Sequence, residues 1–518
     1  MSPMVKNAAG RLVPTVVNGV PQIPYKGVGQ HQPDGRKAAP PVPTASDFPR
    51  SGDKRVASIK DALIRCGLRD GMTISSHHHF RNGDLLMNQV FDAAAELGVK
   101  GLRWFPSAAF PCHMPIIQHI QNGVVRLVEG SLNGPLGDHA SHGRMPGTAI
   151  LRSHGGRWQA VQDGEVHIDI AILAAPTADA FGNATGDRGK NACGSLNFGL
   201  VDSLYADKVI VATDNLVPFP CLPWQIQGNN VDCVVEVEKI GDPAKIISGT
   251  TEITKSPDRL LISELTAKFI RATQLYRPGF SMQAGAGGTA LATAIYLRDF
   301  MLQDGVKAAW MRGGSTKYMV KMLEEGLIGY ILDGQTFDLE GVRSMRENAN
   351  HVATSPFTSY NWHGKGNFAS MVDFVVLGAT EVDVDFNANV VTHTDGLMLH
   401  GIGGWQNCLD ANITILPIPS FRNRVPILLD RVTTLVGPGS LIDVIVTERG
   451  IAINPRRTDL LEQVAGKGLP IRPIREIQAE VEALCGGKPE PARVTDEVIG
   501  IVKWVDGTVM DSVYRVVE

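Results

Sequence analysis

The chain has 518 residues, of which 43% are hydrophobic, 20% charged and 6% aromatic, and its 49 lysines and arginines stand against 53 aspartates and glutamates for a formal charge of −4. That composition excludes a mainly disordered chain, and the length accommodates about two to four domains. The balanced charge gives no basis for a nucleic-acid partner or a polybasic membrane patch, and no apolar run approaches the roughly 20 residues that cross a bilayer.

The N-terminus lacks a charged stretch followed by an apolar core, so it does not read as a secretory signal. The seven cysteines (Cys66, Cys112, Cys193, Cys221, Cys233, Cys408 and Cys485) are widely spaced, with no Cys-x-x-Cys pair. This argues against a zinc ribbon or a thioredoxin-type site, and a reducing, cytoplasmic setting is expected. Residues 1–54 form a first unit rich in proline, glycine and polar residues, as in Lys37-Ala-Ala-Pro-Pro-Val-Pro43. Such a segment buries little apolar area by itself. A loose tail is expected; the alternative is an extended arm clamping a neighbouring subunit.

From residue 55 the pattern is β/α. Met72–Ser75 reads as a short buried strand, followed by the polar loop His77-His-His-Phe-Arg-Asn-Gly-Asp84. Leu86, Val90, Ala94 and Leu97 then recur at helical spacing. Gly98 ends that helix and Leu102–Phe105 is the next strand. Ile168–Ala174, Lys208–Ala212 and Cys233–Val237 are further strands. The plan returns after residue 275: a Phe280–Gln283 strand, a Gly285-Ala-Gly-Gly288 loop, then a helix through Ala290, Ala294, Leu297 and Met301 that Gly305 ends. Ala308–Arg312, Val372–Leu377, Ile413–Leu416 and Ile442–Thr447 are the later strands.

The two stretches align as an internal repeat. Gly98-Val-Lys-Gly-Leu-Arg-Trp-Phe105 parallels Gly305-Val-Lys-Ala-Ala-Trp-Met311, and the run from Ile168 to Asn183 parallels that from Val372 to Asn387. The expected fold is α/β, with two similar halves, 55–255 and 256–518, the second carrying a C-terminal extension. Each half is a mostly parallel sheet flanked by helices, and a cleft between them is the expected ligand site.

Three glycine loops and one histidine loop could carry chemistry. Gly285-Ala-Gly-Gly-Thr-Ala290 fits G-x-G-x-x-A between a strand and a helix, where backbone N–H groups can approach an anion. The next strand ends in Arg312 rather than an acid, which leaves only an NADP-dependent oxidoreductase as the dinucleotide alternative. In Arg312-Gly-Gly-Ser-Thr-Lys-Tyr318, Ser315 or Thr316 could cap the helix running to Glu325, beside an anion pocket in which Arg312 binds a carboxylate. Gly401, Gly403 and Gly404 of His400-Gly-Ile-Gly-Gly-Trp-Gln-Asn407 could present N–H groups to an oxyanion. His77, His78 and His79 point to alternate sides, so they cannot easily share one metal ion. One or two of them are expected to face the cleft, and no metal site is expected. Asp138-His-Ala-Ser-His-Gly-Arg144 could hold an anion but reads rather as a solvated turn. No Gly-x-Ser-x-Gly elbow occurs.

These repeated halves, with Ala174–Asn183, Leu377–Asp383, Gly401-Ile-Gly-Gly404 and Ile442–Asn454, resemble the CoA-transferase superfamily. Within it, the resemblance to the family of citrate lyase α subunits runs over nearly the full length. It implies a citrate CoA-transferase that exchanges acetate for citrate on the thioester of an acyl carrier protein. It implies as partners that carrier (a γ subunit bearing a CoA-like prosthetic group, for which acetyl-CoA is a surrogate) and a β subunit that cleaves the citryl thioester. It also implies a homo-oligomer within a larger complex, no cofactor attached to this chain, and any metal serving the partner lyase. A related acid such as citramalate, or a non-catalytic scaffold, is the rival reading. Better-known CoA-transferases carry a nucleophilic glutamate after the second strand of the C-terminal half. Here that place reads Met311-Arg-Gly-Gly-Ser315, so direct exchange through a mixed anhydride is expected. The expected roles are oxyanion donation by Gly403 and Gly404 and a citrate clamp by Arg312. Further substrate contacts are expected from Gly313, Gly314, Ser315, Thr316, His77, His78, His79, Arg81 and His400. Gly285, Gly287, Gly288 and Gly401 are expected to line the thioester arm.

Overall fold

The computed structural model describes residues 2–33, 49–246, 252–285, 287–361, 365–398 and 400–517. A parallel strand covered on both faces must be apolar throughout, and Ile170–Ala175 buries all six of its side chains. It lies inside a ten-stranded sheet whose strands begin, in spatial order, at Val509, Val494, Ala149, Val125, Leu102, Thr73, Ile170, Lys208, Cys233 and Arg55. A second sheet of eight runs His351, Ile328, Ala308, Ser281, Phe374, Ile413, Val444 and Gly450. Pairing is parallel except in the 494/509 and 444/450 hairpins at the sheet ends. From Ala149 to Cys233 the first sheet has the strand order that the second has from His351 to Val444, so the repeat is one of topology.

The repeat extends to side chains that tie the turns. Asp169 Oδ2 accepts from the N–H of Thr73 at 2.7 Å, and Asp373 Oδ2 from that of Ser281 at 2.9 Å. Asp179 Oδ1 accepts from the N–H of Asn183, whose carbonyl oxygen Oδ1 accepts from Gly228. Asp383, Asn387 and Gly439 repeat this arrangement. The Asp…Asn motif that carried much of the resemblance is thus a structural tie. Period-two alternation splits the second sheet between two cores. Val375, Leu416 and Ile445 face a core shared with the first half, whereas Phe374, Val376, Ile415 and Val444 face the outer core with Ile262, Phe269 and Leu297 of the Pro257–Ala272 and Gly288–Asp304 helices.

Three expectations are corrected. The C-terminal hairpin, Val494–Lys503 with Val509–Val516, does not extend the second half but completes the first sheet beside Ala149–Leu151. Residues 2–33 are not a loose tail. Met4–Lys6 pairs with Leu12–Pro14, Asn7 Nδ2 donates to the carbonyls of Val509 and Met510, and Val13 and Val17 are buried against Ile150, Ile501 and Val509. The segment orders because that hairpin supplies the apolar face it lacks. The proline-rich run 37–43 lies outside the described residues. The stretch read as a solvated turn at 138–144 begins inside a helix, Pro135–Ser141, whose Leu136 and Ala140 are buried. Among the described residues no helix is long and apolar enough to cross a membrane.

Candidate active site

Ligands of parallel sheets collect beyond the carboxyl ends of the strands. In the second sheet those ends are Ala284, Gly313–Gly314, Gly334–Gln335 and Leu377, and they border a cavity of about 280 Å³. The Gly403–Gly404 turn, Trp405, Cys408, Tyr360 and Ser355 of the second half close it, and His154 and Phe198 come from the first half. No aspartate, glutamate, lysine or arginine lines it among the described residues.

The Gly403–Gly404 turn is fixed from both halves. Gly403 has φ +60°, a conformation that favours glycine, and its carbonyl accepts from the N–H of His154 at 2.7 Å. A Cβ on Gly404 would lie 2.6 Å from Tyr360 Oη. Asn407 Oδ1 accepts from the N–H of Gly155 at 3.0 Å, locking the turn to the start of the His154–Gln162 helix. Among the described residues, the N–H groups of Gly403 and Gly404 donate to no protein acceptor, so two adjacent donors remain for a ligand oxygen.

The structure sorts the three histidines by side. His78 turns to the cleft. Its Nδ1 is 2.6 Å from Ser107 Oγ, its Nε2 is 3.1 Å from Gln335 Oε1 across the halves, and its ring stacks on His154 at 4.7 Å. His77 and His79 turn away. His77 Nε2 is 3.0 Å from the buried Asp202, and His79 Nε2 donates to the carbonyl of Ala174 at 2.8 Å. Burial drives the His154 pKa down to about 3, with nearby Arg157 adding to the effect, and the His79 pKa down to about 4. Burial, with His154 next in effect, holds His78 well below the ordinary histidine value. His154, the histidine that lines the cavity, is therefore neutral near pH 7, and His78 packs against its ring outside the lining.

Arg312 is completely buried, one layer behind the lining. Its Nη1 donates to Gln283 Oε1 at 2.6 Å and its guanidinium carbon lies 4.9 Å from the Tyr360 ring centre. Among the described residues its Nε and Nη2 make no hydrogen bond of good geometry and no carboxylate pairs with it; the Tyr360 hydroxyl and the Cys408 thiol are the other polar groups that feel its charge. Among the described residues it is a buried cation without a counter-charge.

Of the remaining sequence-predicted residues, Gly285, Gly313 and Gly314 line the cavity. Ser315 and Thr316 do not. Ser315 donates to Asp333 Oδ2 at 2.7 Å, and neither hydroxyl caps the Lys317–Glu324 helix, whose first N–H instead meets Asp338 at 2.6 Å. Gly287 and Gly288 begin the Gly288–Asp304 helix away from the lining, Gly288 packing on Thr254. Gly401 donates to Asn133 Oδ1, His400 is exposed with Nε2 3.1 Å from His393 Nε2, and Arg81 covers the Phe337 ring. Sequence reasoning missed His154, Gln283, Gln335 and Tyr360. Ser153-His-Gly-Gly156, a capping serine before two glycines, was a usable signal for the first; Gln283 and Gln335 reach the cavity through strand order and Tyr360 through the end of the Pro356–Ser359 helix.

A family described as "Citrate lyase, alpha subunit" matches residues 52–516. The chain is 40% identical to the citrate lyase alpha chain of Escherichia coli K12 over 90% of this chain and 91% of that one. It is 40% identical to that of Klebsiella pneumoniae over 91% and 93%. Among solved structures, a citrate lyase alpha subunit from Streptococcus mutans in complex with citrate superposes with a TM-score of 0.95 at 40% identity, covering 99% of this chain and 100% of that one. A malonate decarboxylase alpha subunit from Acinetobacter baumannii, at 17% identity and TM-score 0.61 over 83% of this chain and 88% of that one, shares the fold. The chain belongs to the citrate lyase α-subunit family.

Proposed function

We propose that the chain is the citrate CoA-transferase of a citrate lyase: acetyl-carrier and citrate give citryl-carrier and acetate. The observation that carries this reading is the cavity itself. Among the described residues it has free backbone donors at Gly403 and Gly404, an uncompensated cation behind its wall, and no carboxylate on its surface.

A citrate carboxylate oxygen attacks the acetyl thioester carbonyl, and the tetrahedral oxyanion is held by the Gly403 and Gly404 N–H groups. Collapse expels the thiolate and leaves an acetic–citric mixed anhydride. The thiolate attacks the citryl carbonyl, a second oxyanion forms at the same donors, and acetate leaves. No net proton moves, which suits a cavity whose histidine is neutral. One well-placed oxyanion donor contributes about 3–4 kcal/mol. The two glycines at 313 and 314 stand where a glutamyl nucleophile would, and Asp333, the carboxylate just behind them, is spent on Ser315, Thr336 and His351. Direct exchange then depends on holding both substrates together and excluding water. Gly285 leaves room beside the oxyanion turn for the thioester of the carrier's CoA-like arm, whereas the space beside Gly314 is taken by the Phe337 ring. The reading includes a β-subunit lyase, a γ-subunit carrier, assembly of several copies and a cytoplasmic setting.

The purified chain mixed with labelled citrate and acetyl-CoA or acetylated carrier is expected to yield a citryl thioester while the intact protein mass stays unchanged. A protein-bound acyl or thioester adduct would overturn direct exchange. Absence of product with either donor, from folded protein, would overturn the function. Equal rates with citramalate would remove citrate as the preferred acid.

A further inference from the structure

Gln283 stands between the cavity and Arg312. It lines the cavity, its Oε1 accepts from Arg312 Nη1 at 2.6 Å, and its Nε2 donates to Cys408 Sγ at 2.8 Å. Tyr360, also in the lining, covers another side of the guanidinium. Behind this thin wall two Arg312 nitrogens lack acceptors among the described residues, although the side chain is completely buried. A buried cation is costly unless paired, and an amide oxygen is a weaker acceptor for guanidinium than a carboxylate, which can bind it through two parallel bonds.

We propose that Gln283 is a displaceable cover whose amide oxygen holds the place of a substrate carboxylate on Arg312. This rests on the acyl-exchange reading above and deepens it. When a polycarboxylate enters, Gln283 turns aside and one carboxylate takes the guanidinium, leaving another free to attack the thioester. A monocarboxylate such as acetate has no second group with which to displace the amide. The cover thus selects a di- or tricarboxylate acceptor, and it keeps Arg312 hydrogen-bonded when none is bound.

The test is calorimetric titration of citrate into the full chain as wild type, Gln283→Glu and Gln283→Ala, with melting temperatures to confirm folding. In Gln283→Glu a carboxylate is tethered on Arg312, and the citrate Kd is expected to rise on the order of a hundredfold, the scale of losing a buried charge pair. In Gln283→Ala nothing competes, and the Kd is expected to stay equal or fall. A wild-type Kd in folded Gln283→Glu would overturn the proposal. So would a tenfold weaker Kd in folded Gln283→Ala, because Gln283 would then be a direct ligand rather than a cover. Should the glutamate variant fail to fold, the direction of the alanine effect decides. A wild-type chain that neither binds citrate nor forms citryl thioester refutes the functional reading instead. Wild-type binding and exchange with contrary variants refutes the cover alone.

Discussion

Replacing Arg312 by methionine should separate stability from activity. In the folded chain the guanidinium gains one charged hydrogen bond, from Nη1 to Gln283, and one contact with the Tyr360 ring. Those are worth about 1.5–3 kcal/mol and about 1–2 kcal/mol. Against them stands the cost of holding an unpaired cation away from water, several kcal/mol per ion. Methionine matches much of the length and carries no charge, so Arg312→Met is expected to lie within about 2 kcal/mol of wild type, and stabilisation is allowed. Activity should behave differently. Losing a buried charge-assisted contact to a citrate carboxylate costs about 2–5 kcal/mol, or roughly 30- to 5,000-fold in kcat/KM for citrate. Denaturant titration and citryl-thioester formation at varied citrate measure the two quantities on one preparation. Wild-type kinetics in Arg312→Met would refute the clamp. A loss of more than about 4 kcal/mol in stability would show instead that the side chain is structural.

Asp333→Asn should lower stability by about 3 kcal/mol and citrate kcat with it, since Asp333 accepts from Ser315 and Thr336 hydroxyls at 2.7 Å, beside cavity-lining Gly314 and Gln335; unchanged melting and kinetics would dismiss it as a hub. Stability should fall with acid. His79 and His154 keep pKa values near 4 and 3 when folded, so below about 6.5 only the unfolded chain takes up their protons, and each costs about 2 kcal/mol between pH 6.5 and 5. Asp511, raised by burial to about 6, works the other way and gains stability as pH falls through 6, so the net loss is smaller than the histidine sum; denaturant midpoints at the two pH values in His154→Gln and wild type would expose the histidine share. Deleting residues 494–517 should give insoluble protein, because it uncovers Ala149–Leu151 and the face beneath the N-terminal segment; a soluble, cooperatively melting product would contradict that.

Legibility in the sequence followed locality. The strands at Leu102, Lys208, Cys233 and Ile413 were visible because short apolar runs ended at glycines or polar turns, and the repeat was visible because its turn-tying residues, Asp169 and Asp179 with Asp373 and Asp383, recur at one spacing. The Gly403–Gly404 turn was readable as a run of N–H groups. Local pattern says nothing of which distant segment supplies a missing partner. The C-terminal hairpin joined the first sheet beside Ala149–Leu151, some 350 positions away, and the N-terminal segment folded onto it through contacts some 500 positions apart, such as Asn7 to Val509 and Met510. His77 and His79 read as cleft residues because the strand before them ends at the cleft, yet Asp202 and the Ala174 carbonyl draw both the other way. Tyr360 and Gln335 carried no local signal.

The repeat also shows why Arg312 stands apart. Thr73 pairs with Arg103 as Ser281 pairs with Trp310, so Phe105 occupies in the first half the place of Arg312 in the second. Both places put a guanidinium beside an aromatic ring, with the order exchanged. In the first half Arg157 lies 4.2 Å from the Phe105 ring centre, and its charge is met by two hydrogen bonds of 2.8 Å to Asp202. In the second half Arg312 lies against Tyr360, and its acceptor is the neutral amide of Gln283. Among the described residues the chain therefore neutralises a buried arginine in the first half and leaves one without a carboxylate where the cavity is. The glycines follow the same division. By the same pairing His77, buried against Asp202, falls at the place of Gly285, which borders the cavity. Arg157→Met should accordingly destabilise by about 3–5 kcal/mol by stranding the Asp202 carboxylate, while Arg312→Met should not. If the two variants lose equal stability, Arg312 has a counter-charge in solution and the carboxylate site must be sought elsewhere in the cavity.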